Sequence, residues 1–188
     1  MAHDVHEKND SVFKVGINLT LACLLSSAVI AGTYALTAPV AAKSQIALDN
    51  KARKELVADA EDFKAIDGKQ GWYAAFKDGK VIAYVVPAES KGYAGAINML
   101  AAISAEGKVI DYAIVSYKET PGLGDKAEKP AFRKQFAGKT AEDLEVVKVP
   151  TDKNIQALTG ATITSRAVTK GIKEAAEKVT EFTANQKK

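Results

Sequence analysis

No charged residue occurs between Lys14 and Lys43. In hydrocarbon every backbone N–H and C=O must be satisfied within the segment, so a lone run of this kind can cross a bilayer only as a helix. About twenty apolar residues span a hydrocarbon core of about 30 Å, and the uncharged run from Val15 to Ala42 exceeds that. Residues 15–40 are therefore expected to form a single-pass transmembrane anchor with the lipid bilayer as its partner, preceded by a tail over 1–14. Gly16, Ser26, Ser27 and Gly32 are tolerated in such helices, and Pro39 sits near the exit. A cleaved signal peptide is the rival reading, with Val40-Ala41-Ala42 as its cleavage site. The run is too long and its leading segment too weakly basic for that. Lys8 and Lys14 precede the span, whereas Lys43, Lys51, Arg53 and Lys54 follow it. Positive charge alone thus leans towards a cytoplasmic C-terminal part, but long domains translocate largely regardless of it. The single cysteine, Cys23, lies inside the run, cannot form an internal disulfide, and reads as a small hydrophobe.

The remaining chain has the length and composition of one modest globular domain. A net charge of +3 is spread without a basic stripe or interleaved aromatics, which argues against nucleic-acid binding. Both histidines, His3 and His6, fall in the polar tail, so no metal site is expected. No histidine follows residue 6 to activate a serine or threonine nucleophile, and no Gly-Lys-Ser/Thr phosphate loop is present.

Ala41 to Phe63 reads as a helix, bent or broken near Pro39, with Ile46, Leu56, Ala60 and Phe63 near one stripe. With the stop signal Asp67-Gly68, this gives a helical connector over 41–67 and a domain over 68–188. Two antiparallel hairpins are expected. Trp72–Lys77 and Val81–Val86 flank Asp78-Gly79, and Ala96–Ser104 and Val109–Tyr117 flank Glu106-Gly107. Lys129–Phe136 reads as a short helix with Pro130 in its first turn, and Leu144–Val149 as a further strand. The last helix carries Val168, Ile172, Ala175, Ala176, Val179 and Phe182 on one face. The fold class is α+β.

At the mouth of that helix stands Thr159-Gly160-Ala161-Thr162-Ile163-Thr164-Ser165. Hydroxyls around a glycine at a helix start have two uses. They cap the helix, or, with the free N–H groups and the positive dipole end, they receive a phosphate. Local physics leaves both open. The loop Glu119-Thr120-Pro121-Gly122-Leu123-Gly124 likewise reads alone as a tight connection after a strand.

The run Leu158–Val168 resembles the flavinylation motif of the FMN-binding domain family. That family occurs in the G subunit of Rnf electron-transport complexes and the C subunit of sodium-translocating NADH:quinone reductases. Lys118–Lys126 resembles the family's flavin-side loop, and Gly92–Ile97 the start of one of its strands. The resemblance implies FMN joined to Thr162 through its phosphate, with Gly160 and Ala161 letting the backbone close on it. Thr159, Thr164 and Ser165 are then hydrogen-bond donors or caps. Glu119, Thr120, Gly122, Leu123 and Gly124 are expected against the flavin, with Tyr93 stacking nearby. Where the family usually has Asp, this chain has Gln156. The chain's length and its Glu119–Gly124 loop favour the Rnf type. That type implies an electron relay in an ion-translocating ferredoxin:NAD oxidoreductase of the inner membrane, making no product alone. It also implies an extracytoplasmic FMN domain, a cytoplasmic tail, other membrane and peripheral subunits as partners, and a flavin transferase for maturation. Two alternatives stand beside it: the quinone-reductase type, and a non-redox membrane-tethered binding module in which Thr162 only helps to cap a helix.

Overall fold

The computed structural model describes residues 12–186, so most of the expected tail lies outside the described residues. The chain divides into two compact units, one up to Ala47 and one from Leu48 onward. The N-terminal unit is helical throughout its described part, within α1 (Val12–Leu56). Its apolar stretch Phe13–Ala41 is long enough to cross a membrane, roughly 43 Å at about 1.5 Å per residue. The hydroxyls of Thr20, Thr33 and Thr37 donate to the carbonyls of Gly16, Val29 and Thr33, so each polar tip is satisfied inside its own helix. The helix runs through Pro39 instead of breaking there. A proline removes only one intrahelical N–H, and the turns on either side continue.

The C-terminal unit is built on a five-stranded antiparallel sheet, β1 (Asp62–Ala65), β2 (Tyr73–Lys77), β3 (Lys80–Lys91), β4 (Ala96–Ser104) and β5 (Val109–Ser116), in sequential order. At the β2–β3 turn both central residues are left-handed, Asp78 at φ 50° and Gly79 at φ 71°. A two-residue turn of that kind matches the right-handed twist of the paired strands. The β4–β5 turn uses Gly107 at φ 82°.

Three expectations change here. The helix expected over Ala41–Phe63 ends at Leu56, because Asp62–Ala65 pairs with Tyr73–Phe76 as an edge strand. The strand expected to stop at Val86 runs on through Pro87 to Lys91. Pairing with β2 ends at Val85, so the missing N–H of Pro87 interrupts no ladder on that side, and β4 pairs with the whole extension. The two expected hairpins are thereby joined into one sheet. The strand expected over Leu144–Val149 is reduced to β6 (Val146–Val147), paired in parallel with β7 (Ile155–Gln156).

The sheet buries both faces. On one side Tyr84, Val86, Ile97, Met99, Ala101 and Ile103 meet Val168, Ile172, Ala175, Ala176 and Val179 of α3 (Thr162–Gln186). The other face is mostly small residues, Ala75, Ala83, Val85 and Ala102, with Leu100 among them. Leu56 and Val57 at the end of α1 share their cluster. Between β5 and β6 lies α2 (Pro130–Arg133), a single turn that passes into a 3-10 turn at Lys134–Phe136. This replaces the continuous helix expected over Lys129–Phe136. Phe132 and Phe136 nevertheless enter the core, where the Phe136 ring packs edge-on against Tyr112 and Phe132.

Candidate functional site

Three segments converge at the start of α3: the turn 92–95 between β3 and β4, the loop 119–124 after β5, and Gly160–Thr164. They enclose a cavity of about 590 Å³ lined by Tyr93, Glu119, Thr120, Leu123, Gly124, Gly160, Ala161, Thr162, Ile163 and Thr164.

Each wall has a local cause. Gly160 takes φ 81°, a left-handed conformation open to glycine, and turns the chain into α3. The first bond at the helix start runs from Ser165 N–H to Ala161 C=O. The N–H groups of Thr162, Ile163 and Thr164 precede it, the usual unpaired donors of a helix start. In the loop, the N–H groups of Leu123 and Gly124 both donate to Thr120 C=O, which folds Pro121 and Gly122 outward. Gly122 adopts φ 78° to make that turn.

Glu119 joins the walls. Its side chain is buried, and Oε1 accepts from the Tyr93 N–H at 2.9 Å and the Ala94 N–H at 3.2 Å. Oε2 accepts from the Thr164 hydroxyl at 2.5 Å. Just behind the loop, burial and the nearby Glu128 and Asp125 carboxylates push the Tyr117 phenol above its ordinary pKa.

Nine of the residues singled out from sequence line this cavity; Thr159, Gly122 and Ser165 do not. Ser165 is fully buried inside the first turn. Its hydroxyl donates to Ala161 C=O and accepts from Leu158 N–H, which fastens the preceding loop to the helix. Thr164 is likewise spent on Glu119 and does not cap the helix. Gln156 is held in β7, its N–H donating to Gln135 Oε1 at 2.7 Å. Sequence reasoning missed Ile163, which is exposed beside the cavity. Its signal was present: an isoleucine on the same side as Arg166 and Lys170, away from the buried stripe.

The donor set suits a phosphorylated aromatic cofactor. Leu123, Ile163 and Tyr93 present exposed apolar surface, while Thr120 and Thr162 bring hydroxyls to the same cavity. The volume lies in the usual range for cofactor sites, roughly 300–1,000 Å³.

Comparison with known proteins identifies the family. Residues 92–177 match the FMN-binding domain. That segment contains all three walls of the cavity. The chain is 54% identical to the G subunit of the proton-translocating ferredoxin:NAD(+) oxidoreductase complex of Clostridium ljungdahlii, over 99% of this chain and 100% of that one. It is 35% identical to the G subunit of the Na(+)-translocating complex of Acetobacterium woodii, covering 86% of this chain and 88% of that one. The crystal structure of Shewanella oneidensis NqrC shares the fold with a TM-score of 0.52 at 19% identity, covering 68% of this chain and 73% of that one. The fold is thus common to both types, while sequence identity extends over the full length of a G subunit. The chain therefore belongs to the G-subunit family of the ferredoxin:NAD(+) oxidoreductase complexes and carries an FMN-binding domain.

Proposed function

We propose that this chain is a membrane-anchored flavoprotein subunit that relays electrons in an ion-translocating ferredoxin:NAD oxidoreductase complex, with FMN joined to Thr162. The observation that carries the reading is the position of Thr162. It is the first residue of α3, half-buried, and it lines the same cavity as the apolar Leu123 and Ile163. FMN supplies reversible electron transfer, and the protein supplies tethering, orientation and electrostatics. Thr162 Oγ would become the bridging oxygen of a phosphoester, its proton leaving with the departing group of the flavin donor. The first N–H groups of α3 would face the remaining phosphate oxygens, and Thr120 offers a further hydroxyl. Leu123, Ile163 and the Tyr93 ring would flank the isoalloxazine.

Residues 15–40 would hold the protein in the inner membrane beside its partner subunits, with the FMN domain on the extracytoplasmic side. Support for that side comes from family resemblance and from the ability of long domains to translocate against flanking charge.

Co-expression with a flavin transferase, followed by a denaturing gel, tests the attachment. A fluorescent band at the mass of the chain, absent from Thr162→Ala and kept in Thr159→Ala, is the expected result. Fluorescence persisting in Thr162→Ala would move the linkage to another residue. No fluorescence in the wild type would leave a tethered binding module instead.

A further inference from the structure

We propose that Glu119 is a positioning residue of this pocket. Its carboxylate ties the turn 92–95, the loop 119–124 and the first turn of α3 into one frame, and thereby fixes Tyr93 and Leu123 relative to Thr162. The proposal rests on the flavin reading above for its consequence, but on geometry for its substance.

Two oxygens accept three hydrogen bonds from two segments that are 25 to 45 residues away in sequence. A carboxylate has about four acceptor positions, so most of its capacity is used inside the protein before any ligand arrives. At 8% exposure it is desolvated, and no salt bridge reaches it among the described residues. The N–H and O–H dipoles aimed at its oxygens replace the water lost on burial, and leaving such buried groups unpaired is costly.

Two glycines make room for it. A Cβ on Gly92 would lie 2.4 Å from Glu119 Oε1 and 2.7 Å from Ile97 Cδ1. A Cβ on Gly124 would lie 2.7 Å from Glu119 Cβ and 2.9 Å from Oε2. Neither position has a left-handed φ, so neither glycine is required by backbone conformation. At Gly124 the space is taken by Glu119, and at Gly92 it is shared by Glu119 and Ile97.

The frame and the charge separate in two substitutions. In Glu119→Gln the remaining carbonyl oxygen can still accept from Tyr93 and Ala94, while the new NH₂ donates to Thr164 Oγ, itself an acceptor as well as a donor. Glu119→Ala removes all three bonds. The full chain in detergent is measured in two ways: amide hydrogen exchange at Tyr93 and Ala94 without cofactor, and flavin fluorescence anisotropy after flavinylation. Exchange should rise roughly tenfold to a hundredfold in Glu119→Ala, and the anisotropy should fall. Glu119→Gln should restore both towards wild type. Wild-type exchange in Glu119→Ala overturns the proposal, and so does a Glu119→Gln variant as impaired as Glu119→Ala. If Glu119→Ala does not fold, Thr164→Val severs only the Oε2 bond. It should lower the anisotropy and leave Tyr93 and Ala94 protected, and a wild-type anisotropy there overturns the frame. Hydrogen exchange needs no flavin, so a wild type that takes up none refutes the proposed function and still leaves this test standing.

Discussion

Tyr112 is a fully buried side chain with one polar atom, and that atom is used. Its hydroxyl donates to Ala127 C=O at 2.5 Å, joining β5 to the 3-10 turn Gly124–Glu128 that follows the site loop. Tyr112→Phe would strand a buried carbonyl and should cost about 1–2 kcal/mol, read from the urea midpoint. Burial, the largest influence, drives the phenol far above its ordinary value of 10.0; the Arg133 cation lowers it and Asp111 raises it. A folded pKa raised above the unfolded one means that this contribution is complete below about pH 10. It is lost as pH rises further, because only the unfolded phenol ionises there. Wild-type stability should therefore fall more steeply above pH 10 than that of Tyr112→Phe, and parallel curves would refute the assignment. None of this was legible from sequence, where Tyr112 is only one position within the expected strand Val109–Tyr117. The site glycines show the same limit. Gly122 and Gly124 look alike in the loop motif, yet one supplies a left-handed turn with nothing within 4 Å and the other clears space for Glu119. Spacing along the chain cannot distinguish a conformational need from a steric one.

At the scale of elements, α3 was the most legible part, because a helical stripe records burial directly. Ile172 is fully buried in that stripe and Ile163 is exposed one face away. Ile172→Ala should cost about 2–5 kcal/mol, whereas Ile163→Ser should stay within about 0.5 kcal/mol, both by chemical denaturation. Equal losses would mean that Ile163 is part of the core and not of the cavity wall. The hairpins were legible because Asp78-Gly79 and Glu106-Gly107 carry their turn chemistry locally. The pairing of β3 with β4 was not, since Pro87 reads as a strand end unless one knows that β2 has already stopped. The edge strand β1 is four residues with two charges, too short and too polar for alternation to register. Its strand character comes from the partner β2, a tertiary cause that local propensity does not contain.

For the molecule as a whole, the absence of charge marks out the apolar stretch of α1, but the end of that helix has a second role that charge conceals. Leu56 and Val57 are 4% and 5% exposed and belong to the cluster on the small-residue face of the sheet. Arg53 lies with its guanidinium 3.7 Å from the centre of the Tyr73 ring. A sheet face of mostly small apolar residues cannot cover itself, and the helix end takes the place of a second layer. The two apolar side chains contribute roughly 3–6 kcal/mol by burial, a large share of the total of about 5–15 kcal/mol expected for a domain. A fragment spanning 48–188 should therefore be folded and monomeric without the apolar stretch of α1. A fragment spanning 61–188 keeps every strand and α3 but uncovers Ala75, Ala83, Val85, Leu100 and Ala102. It should unfold at markedly lower urea, bind an apolar dye and self-associate in sedimentation. If the shorter fragment matched the longer one in stability and stayed monomeric, the helix end would be a tether and not a layer of the domain. A double substitution in the longer fragment, Leu56→Ala with Val57→Ala, makes the same comparison without changing the start of the chain, and it should reproduce most of the loss.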